Sequence, residues 1–220
     1  MFAGVWSRRH FIAAGLAAAC AAAETQAAGP GGTILVLGDS LSAEYGLKRG
    51  TGWVALLQKR LAEQKIPATI LNASISGDTT SGGRSRLPAL LAQHKPAVLV
   101  IELGANDALR GLPLAMTQEN LARMTEAGQK AGAKVLLVGM QMPPNYGAQY
   151  SNQFAALYQT VAKAHKAALV PFMLKGVADA SDATHLFQAD GLHPKEQAHP
   201  VILDNIWPAL KQLLVGDSRK

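Results

Sequence analysis

The fold is decided by the stretch ILVLGDSLSAEYG, residues 34–46. Its first four residues are apolar, and a short apolar run without polar alternation is typical of a strand buried on both faces of a parallel sheet. The run stops at Gly38, and Asp39, Ser40 and Ser42 follow before any helical pattern begins. In open α/β sheets, ligands bind at the carboxyl ends of the strands. Ser40 therefore lies where functional sites are found.

Short apolar runs of the same kind recur along the chain, at residues 33–37, 69–73, 98–103, 134–140 and 168–172. Segments with helical periodicity lie between them, as at Trp53, Leu56, Leu57 and Leu61, and at Leu121, Met124 and Gly128. This alternation implies right-handed crossovers and helices on both faces of the sheet. We therefore expect an α/β fold, a three-layer α/β/α sandwich with a five-stranded parallel sheet in the flavodoxin-like order 2-1-3-4-5. Residues 142–150 and 174–189 are expected to form long loops.

The first 27 residues differ in kind from the rest of the chain. Two arginines precede an apolar run of roughly 13 residues, 11–23, and small residues follow it, which predicts a signal peptide over residues 1–27 and a mature domain over 28–220. The apolar run is shorter than the ~20 residues that span a membrane. The hexapeptide SRRHFI, residues 7–12, favours the twin-arginine export route. We therefore expect a periplasmic or secreted protein.

Charge and cysteine content exclude several classes of function. The formal charge is +6, and it falls to +5 without residues 1–27. The basic residues are scattered and no nucleic-acid module is recognisable, so we expect no nucleic acid as partner. Steering of anionic substrates, transient contact with membrane lipids and an ordinary basic surface all remain open. The one cysteine, Cys20, lies in the signal segment, so cleavage would leave neither a thiol nucleophile nor a zinc–cysteine site; lipidation of Cys20 is a minor alternative.

A serine hydroxyl becomes a nucleophile when a base removes its proton and a third group orients that base. In the sequence DGLHP, Asp190 and His193 are three residues apart, a separation that suits one turn presenting both side chains to a shared cleft. We therefore predict Ser40 as nucleophile, His193 as base and Asp190 as its orienting group. His185, with two aspartates nearby, is a rival base. The other histidines of the mature chain are expected at the surface: His94, His165 and His199.

Acyl transfer also requires hydrogen-bond donors aimed at the oxyanion of the tetrahedral intermediate, each contributing on the order of 3 kcal/mol. After the second apolar run, Gly77 allows the backbone N–H to approach a ligand closely. After the third run, the Asn106 side-chain amide can donate while staying uncharged. With the backbone N–H of Ser40, these residues are expected to form an oxyanion hole. Glu102, inside the third apolar run, is expected to pair with an arginine for structural reasons.

Apolar residues follow two of these strand ends. Leu109 and Leu112 come soon after Asn106, in a segment that would normally be polar if it were a surface loop, and Met142 follows the next apolar run. We predict that Leu109, Leu112 and Met142 line an acyl-binding groove beside the nucleophile. The alternative is that these side chains simply cover the sheet.

Four blocks occur in order, GDSL at 38–41, Gly77, GAND at 104–107 and D-x-x-H at 190–193. With these blocks the sequence resembles the SGNH, or GDSL-type, hydrolases. The segments GDSLSAEYGL, NASISGDTTSGG and VIELGANDALRG resemble its bacterial periplasmic branch of arylesterases, acyl-CoA thioesterases and lysophospholipases. The resemblance implies a monomeric serine esterase or thioesterase that forms an acyl-enzyme and uses no metal or cofactor. Glu44 is a departure, because that branch commonly has glycine at this position.

Two other functions stay open at this point. Related SGNH proteins are carbohydrate O-acetylesterases, although no appended carbohydrate-binding domain is recognisable in this sequence. A non-catalytic, flavodoxin-like binding module is the second alternative, and the intact set of Ser40, Asp190 and His193 argues against it. A Gly-x-Ser-x-Gly elbow is absent from the sequence, so the α/β-hydrolase version of a serine hydrolase is disfavoured.

Overall fold

The computed structural model describes residues 32–215, which form one five-stranded sheet flanked by helices. All strand pairs are parallel, and the strand order is 2-1-3-4-5, which confirms the expected fold. The strands are β1 (Thr33–Gly38), β2 (Thr69–Asn72), β3 (Val98–Glu102), β4 (Lys134–Val138) and β5 (Ala168–Val170). The predicted signal peptide and Cys20 lie outside the described residues.

Six α-helices connect the strands of the described region and cover both faces of the sheet. One face packs against α1 and α6, and the other against α2, α4 and α5. The helices are α1 (Trp53–Glu63), α2 (Thr80–His94), α3 (Ala105–Leu109), α4 (Leu114–Lys130), α5 (Ala148–His165) and α6 (His199–Val215). None of the helices within residues 32–215 is both long and apolar enough to cross a membrane.

The sequence patterns located the helices that cover the core. Trp53, Leu57 and Leu61 of α1 are fully buried, as the periodicity predicts. In α4, Gly128 lies against the sheet so closely that a Cβ atom there would be 2.7 Å from a Leu99 methyl carbon. The apolar faces of both helices therefore pack on the sheet, which is the main source of their stability.

Burial on both strand faces was correctly predicted for the centre of the sheet and wrongly predicted for its edges. Every residue of β1 and β3 is buried, whereas β2 has no fully buried residue and β5 has one. The strand order explains the difference, because β2 and β5 are the two edge strands. β5 also ends earlier than predicted, at Val170; beyond it the Gly139 carbonyl accepts from the Met173 N–H, so the regular ladder stops there.

The two expected loops are partly structured. Residues 142–150 include a 3-10 turn at Pro144–Tyr146 and the first turn of α5, so the expectation of one continuous loop was wrong there. Residues 174–189 are irregular except for a 3-10 turn at Thr184–Leu186. Both segments, like the turn after β1, follow the carboxyl end of a strand, where they can surround a site.

Candidate active site

The three residues predicted as nucleophile, base and orienting group lie together at the carboxyl edge of the sheet. Ser40 follows the end of β1, and its Oγ atom is 2.9 Å from Nε2 of His193. His193 Nδ1 is 2.7 Å from Oδ2 of Asp190. The rival base, His185, is exposed, and its ring pairs with Asp182 at 3.3 Å. The structure therefore brings one serine, one histidine and one aspartate into a continuous hydrogen-bonded line.

A tight turn holds Asp190 against His193. The backbone N–H groups of Leu192 and His193 donate to Asp190 Oδ1 at 2.9 and 3.0 Å. Gly191, which lies between Asp190 and Leu192 in the chain, has φ +67°, a left-handed conformation that glycine adopts without steric cost. Partial burial would raise the pKa of Asp190, but the hydrogen bonds from His193 and Leu192 lower it to about 2. The carboxylate is therefore ionised and keeps one oxygen free to hold the imidazole.

The turn that carries Ser40 is fixed by backbone and side-chain hydrogen bonds. Asp39 accepts from Leu41 N–H through its side chain and from Ala43 N–H through its carbonyl, at 3.0 and 2.9 Å. Asn72 of β2 donates to the Ser42 carbonyl at 2.8 Å. Within the described residues, the Ser40 N–H makes no hydrogen bond, which leaves it free to donate to a ligand.

The three predicted oxyanion donors occupy neighbouring loops. Gly77 has φ +77°, and its N–H, like that of Ser40, has no acceptor among residues 32–215. The Asn106 amide is already engaged, since Nδ2 donates to Asp39 Oδ2 and to the Asp78 carbonyl, each at 3.0 Å. Asn106 therefore joins the nucleophile turn to the Gly77 loop. It can reach an oxyanion only by sharing or exchanging one of these two bonds.

Arg86 of α2 fixes the loop that contains Gly77. Its Nε donates to Asp78 Oδ2 at 2.9 Å, and the same guanidinium donates to the Ala73 and Gly38 carbonyls. These contacts tie the loop after β2 to the end of β1. The loop is therefore held by a charge-assisted cross-link, which preorganises the backbone donor.

Asp107, the residue after Asn106, is the anchor of the short helix α3. Its buried carboxyl group accepts from the Thr80 backbone N–H at 2.8 Å, from the Thr80 hydroxyl, and from the Thr117 hydroxyl at 3.3 Å. These bonds join α3 to the first turns of α2 and α4. The position of Asn106 is thus set by a buried polar network rather than by a flexible loop.

Glu102 does not pair with an arginine, so that prediction was wrong. Its Oε2 accepts from the Ser42 hydroxyl at 2.6 Å and from the Asp39 N–H at 3.3 Å, and Trp53 Nε1 donates to the same Ser42 hydroxyl at 3.1 Å. The register explains the contact, because Glu102 pairs with Gly38 across the ladder between β1 and β3. The signal in the sequence was a carboxylate in an apolar strand, but its partners could not be read from either strand alone.

Glu44 closes the loop before α1, a structural role that the sequence did not indicate. It lies in the left-handed region at φ 60°, a conformation that favours glycine. Its carboxylate accepts from the N–H groups of Gly50 and Gly52 at distances down to 2.8 Å. These bonds close the loop before α1 and compensate the backbone strain at Glu44. The Glu44 carboxylate therefore binds the backbone of that loop and not the Ser40 hydroxyl.

His199 is buried, so the expectation that it lies at the surface was also wrong. Its Nδ1 accepts from the Trp53 N–H, the first of α1, at 3.0 Å. Burial lowers the pKa of His199, which keeps the ring neutral and able to accept. A histidine used in this way caps a helix and shows no signal in the sequence, since the two residues are 146 positions apart.

The apolar residues predicted for an acyl groove are partly buried. Met142 lies in the core with 6% of its surface exposed, and Leu109 is half-buried against the core. Leu112 is half-buried as well. Three large apolar side chains close to the site in sequence are more exposed: Tyr45, Ile75 and Leu192, at 51%, 53% and 43%. Sequence reasoning missed them, although each stands next to or inside a site motif.

Tyr45 also contacts the predicted base directly. Its ring centroid lies 4.5 Å from that of His193, with the planes tilted by 42°. Gln188 takes no part in the hydrogen-bonded line, but its side-chain amide donates to the Tyr45 carbonyl at 2.9 Å. This bond connects the loop of Tyr45 with the loop that precedes His193. Tyr45 therefore forms one wall of the space above the imidazole.

The fold and the order of the site motifs define an SGNH-type ester hydrolase. Residues 36–201 match the model of the GDSL-like lipase/acylhydrolase family, and the chain belongs to that family. It is 55% identical over 182 residues to esterase TesA of Pseudomonas aeruginosa, across 83% of this chain and 89% of the relative. It is 39% identical over 186 residues to thioesterase 1/protease 1/lysophospholipase L1 of Escherichia coli K12, across 84% and 86%. A crystal structure of TesA matches 82% of this chain and 99% of its own with a TM-score of 0.79 and 55% identity.

Proposed function

We propose that this protein is a serine esterase and thioesterase that cleaves acyl substrates such as aryl esters, acyl-CoA and lysophospholipids through an acyl-enzyme intermediate. One observation carries the proposal, the hydrogen-bonded line from Ser40 Oγ through His193 to Asp190. The names of the relatives, an esterase and a thioesterase with lysophospholipase activity, support the same substrate range.

The first half of the reaction forms the acyl-enzyme. His193 Nε2 takes the Ser40 proton while Oγ attacks the carbonyl carbon, and the carbonyl electron pair moves onto oxygen. His193 then gives that proton to the leaving oxygen or sulfur as the bond to carbon breaks. Asp190, ionised throughout, fixes the tautomer of the imidazole and stabilises its protonated form. A water molecule repeats the sequence in the second half, with His193 as base, and releases the acid.

The oxyanion is stabilised by donors that are already in place. The free N–H groups of Ser40 and Gly77 are two of them, and they need no rearrangement at the moment of reaction. Asn106 becomes the third when its bond to the Asp78 carbonyl is replaced by a bond to the oxyanion. Its bond to Asp39 is retained in this step and keeps the amide oriented.

Apolar side chains near the site motifs favour acyl substrates. The half-buried Leu109 and Leu112, which follow Asn106 in the chain, would line the groove for the acyl chain, the buried Met142 would lie in its floor, and Tyr45 beside His193 would form a wall for the leaving group. Both surfaces suit substrates with an apolar body on either side of the ester carbonyl. This arrangement is the reason to prefer acyl chains over acetylated carbohydrates as substrates.

The protein acts as a monomer in the periplasm or outside the cell after removal of residues 1–27. The support for this location is the arginine pair and apolar run of the amino-terminal sequence. Its basic charge favours transient contact with anionic membrane lipids, where lysophospholipid substrates are found. No nucleic acid, metal or cofactor takes part in the proposed reaction.

A substrate panel tests the proposal. kcat/KM is measured for p-nitrophenyl esters of rising chain length, for an acyl-CoA, for a lysophospholipid and for an acetylated xylo-oligosaccharide. The Ser40→Ala variant should lose turnover of every substrate while its circular dichroism spectrum and thermal unfolding stay unchanged. Ser76→Ala, in the loop beside Gly77, is the matched control and should stay active.

An organophosphonate identifies the nucleophile independently. Mass spectrometry of the labelled protein should place the phosphonyl group on Ser40. Label on Ser42 or Ser76, or wild-type turnover by Ser40→Ala, would overturn the mechanism. Turnover of the acetylated carbohydrate with none of acyl esters would instead establish the carbohydrate esterase function.

A further inference from the structure

Two buried carboxyl groups lie next to the nucleophile and take no part in the mechanism above. Asp39 precedes Ser40, Glu102 ends β3, and their exposed fractions are 1% and 2%. Within residues 32–215 neither forms an ion pair with a lysine or arginine. Buried carboxylates without a basic partner are costly, so their presence beside the site calls for a physical explanation.

Both oxygens of the Asp39 carboxylate bind groups that position the predicted nucleophile and oxyanion donor. One carboxyl oxygen accepts from the Leu41 N–H at 3.0 Å and so shapes the turn that presents Ser40. The other accepts from the Asn106 amide at 3.0 Å and so orients the third oxyanion donor. These are hydrogen bonds that an ionised carboxylate receives well.

Glu102 supports the same turn from the neighbouring strand. It accepts from the Asp39 N–H at 3.3 Å and from the Ser42 hydroxyl at 2.6 Å. A protonated Glu102 can accept both bonds, whereas an ionised Glu102 would also repel the Asp39 carboxylate. Two buried carboxyl groups this near one another therefore favour one negative charge between them.

The electrostatics favour the same division of charge. Burial raises the pKa of Glu102 well above its ordinary value, and the negative charge of Asp39 raises it further. Burial raises the pKa of Asp39 to about 6, and the Leu41 N–H, the His193 ring and the Asn106 amide oppose that rise. The proton therefore resides on Glu102 and the charge on Asp39 at neutral pH.

We propose that Asp39 and Glu102 are positioning residues for ester hydrolysis: ionised Asp39 holds the Asn106 amide and the nucleophile turn, and neutral Glu102 holds the same turn by accepting from the Asp39 N–H and the Ser42 hydroxyl. The proposal rests on the function proposed above, since it assigns Asp39 an effect that passes through the oxyanion donor Asn106. Neither residue contacts the substrate.

A double-mutant cycle tests the role of Asp39. Asp39→Asn keeps the size of the side chain but offers one acceptor oxygen instead of two, so it cannot accept from both the Leu41 N–H and the Asn106 amide, and kcat should fall by about 10²-fold, the loss expected for one oxyanion donor, with KM unchanged. In an Asn106→Ala background the same substitution should have little further effect on kcat. Full additivity of the two losses would overturn the effect of Asp39 through Asn106, and wild-type kcat in Asp39→Asn would overturn the role of Asp39 altogether.

Rescue by a conservative variant tests the charge state of Glu102. Gln can accept from the Ser42 hydroxyl and the Asp39 N–H as a neutral Glu does, whereas Leu can accept neither. Glu102→Gln should therefore retain far more of kcat than Glu102→Leu, with thermal unfolding monitored for both variants. Equal losses in both would show that the charge of Glu102 is required, and would overturn its neutral state. Glu119→Gln, an exposed change on α4, controls for the loss of a carboxylate.

The two proposals fail separately. If Ser40→Ala keeps wild-type turnover, the proposed function itself is wrong. If Ser40→Ala is inactive while Asp39→Asn and Glu102→Leu both keep wild-type kcat, only the positioning role is wrong.

Discussion

Gly38 and Glu102 are paired across the ladder between β1 and β3, and the Glu102 carboxyl group occupies the space beside the glycine. A Cβ atom at Gly38 would lie 2.8 Å from Glu102 Oε2 and 2.8 Å from Ser42 Oγ. The glycine of the GDSL block is therefore required by close packing against a buried carboxyl group. The first motif block therefore contacts the end of β3, two residues before the third block begins at Gly104.

Gly38→Ala should lower both stability and activity. The added methyl group must displace Glu102 or Ser42, and such overpacking costs on the order of 1–3 kcal/mol in free energy of unfolding. Displacement of Glu102 also disturbs Asp39 and so should lower kcat of the folded enzyme. Urea denaturation and steady-state kinetics measure the two effects.

Gly128→Ala is the matched control for that variant. Its Cβ atom would crowd Leu99 at 2.7 Å and Val135 at 3.0 Å, on the face of the sheet that α4 covers and away from the site. We expect a comparable loss of stability with kcat unchanged for the folded fraction. If Gly38→Ala affects stability alone, as this control does, the packing contact has no catalytic consequence.

The fold and the hydrogen-bonded line of Ser40, His193 and Asp190 could be predicted because each part carries a local sequence pattern, although Ser40 and His193 are 153 positions apart. Alternating apolar runs and helical periodicity determine the layers, and the spacing of Asp190 and His193 determines one turn. The partners of Glu102 and the burial of His199 were not predictable, because they depend on strand register and on how α1 approaches α6. Burial at the sheet edges was wrongly predicted for another reason: the expected strand order already placed β2 and β5 at the edges, but their apolar sequences resemble those of the central strands.

Substitutions in the Asp190 turn should separate orientation from proton transfer. Asp190→Asn loses the charge that fixes the His193 tautomer, so kcat should fall steeply, although less than in His193→Ala, where no base remains. Asp190→Asn also weakens the bonds from the Leu192 and His193 N–H groups. His185→Ala is the control and should retain wild-type kcat. A larger loss in His185→Ala than in His193→Ala would refute the assigned base.

The stability of the protein should fall as pH rises through the range in which Glu102 would ionise. The folded-state pKa of Glu102 is raised above its ordinary value of 4.5, so the folded protein binds more protons than the unfolded chain above that pH. The free energy of unfolding then decreases with rising pH, by at most about 1.4 kcal/mol per pH unit for one group. Below pH 4.5 both states are protonated and this contribution is constant.

Glu102→Gln removes that titration and serves as the comparison. Urea denaturation at about pH 5 and pH 7 should show a larger decrease of unfolding free energy in the wild type than in the variant. Asp39 is present in both proteins, so the difference between them reports the titration of Glu102 together with its coupling to Asp39. Identical pH dependence in the two proteins would mean that Glu102 has the same proton affinity in the folded and unfolded states.

Acyl chain length should distinguish the groove at Leu109 from a purely structural role of the apolar residues there. If Leu109 and Leu112 line the groove, each added methylene gains up to about 0.8 kcal/mol, nearly fourfold in kcat/KM, until the groove is full. Medium-chain p-nitrophenyl esters should then be better substrates than the acetate.

Leu109→Asp should reduce kcat/KM for the octanoyl ester far more than for the acetyl ester, because only the longer chain meets the new charge. Leu192→Ser, at the exposed leucine directly before His193, is the matched control and should lower both by a similar factor. Equal losses of the two esters in Leu109→Asp would place the acyl chain elsewhere, and a wild-type preference for acetyl esters would favour the carbohydrate esterase function instead.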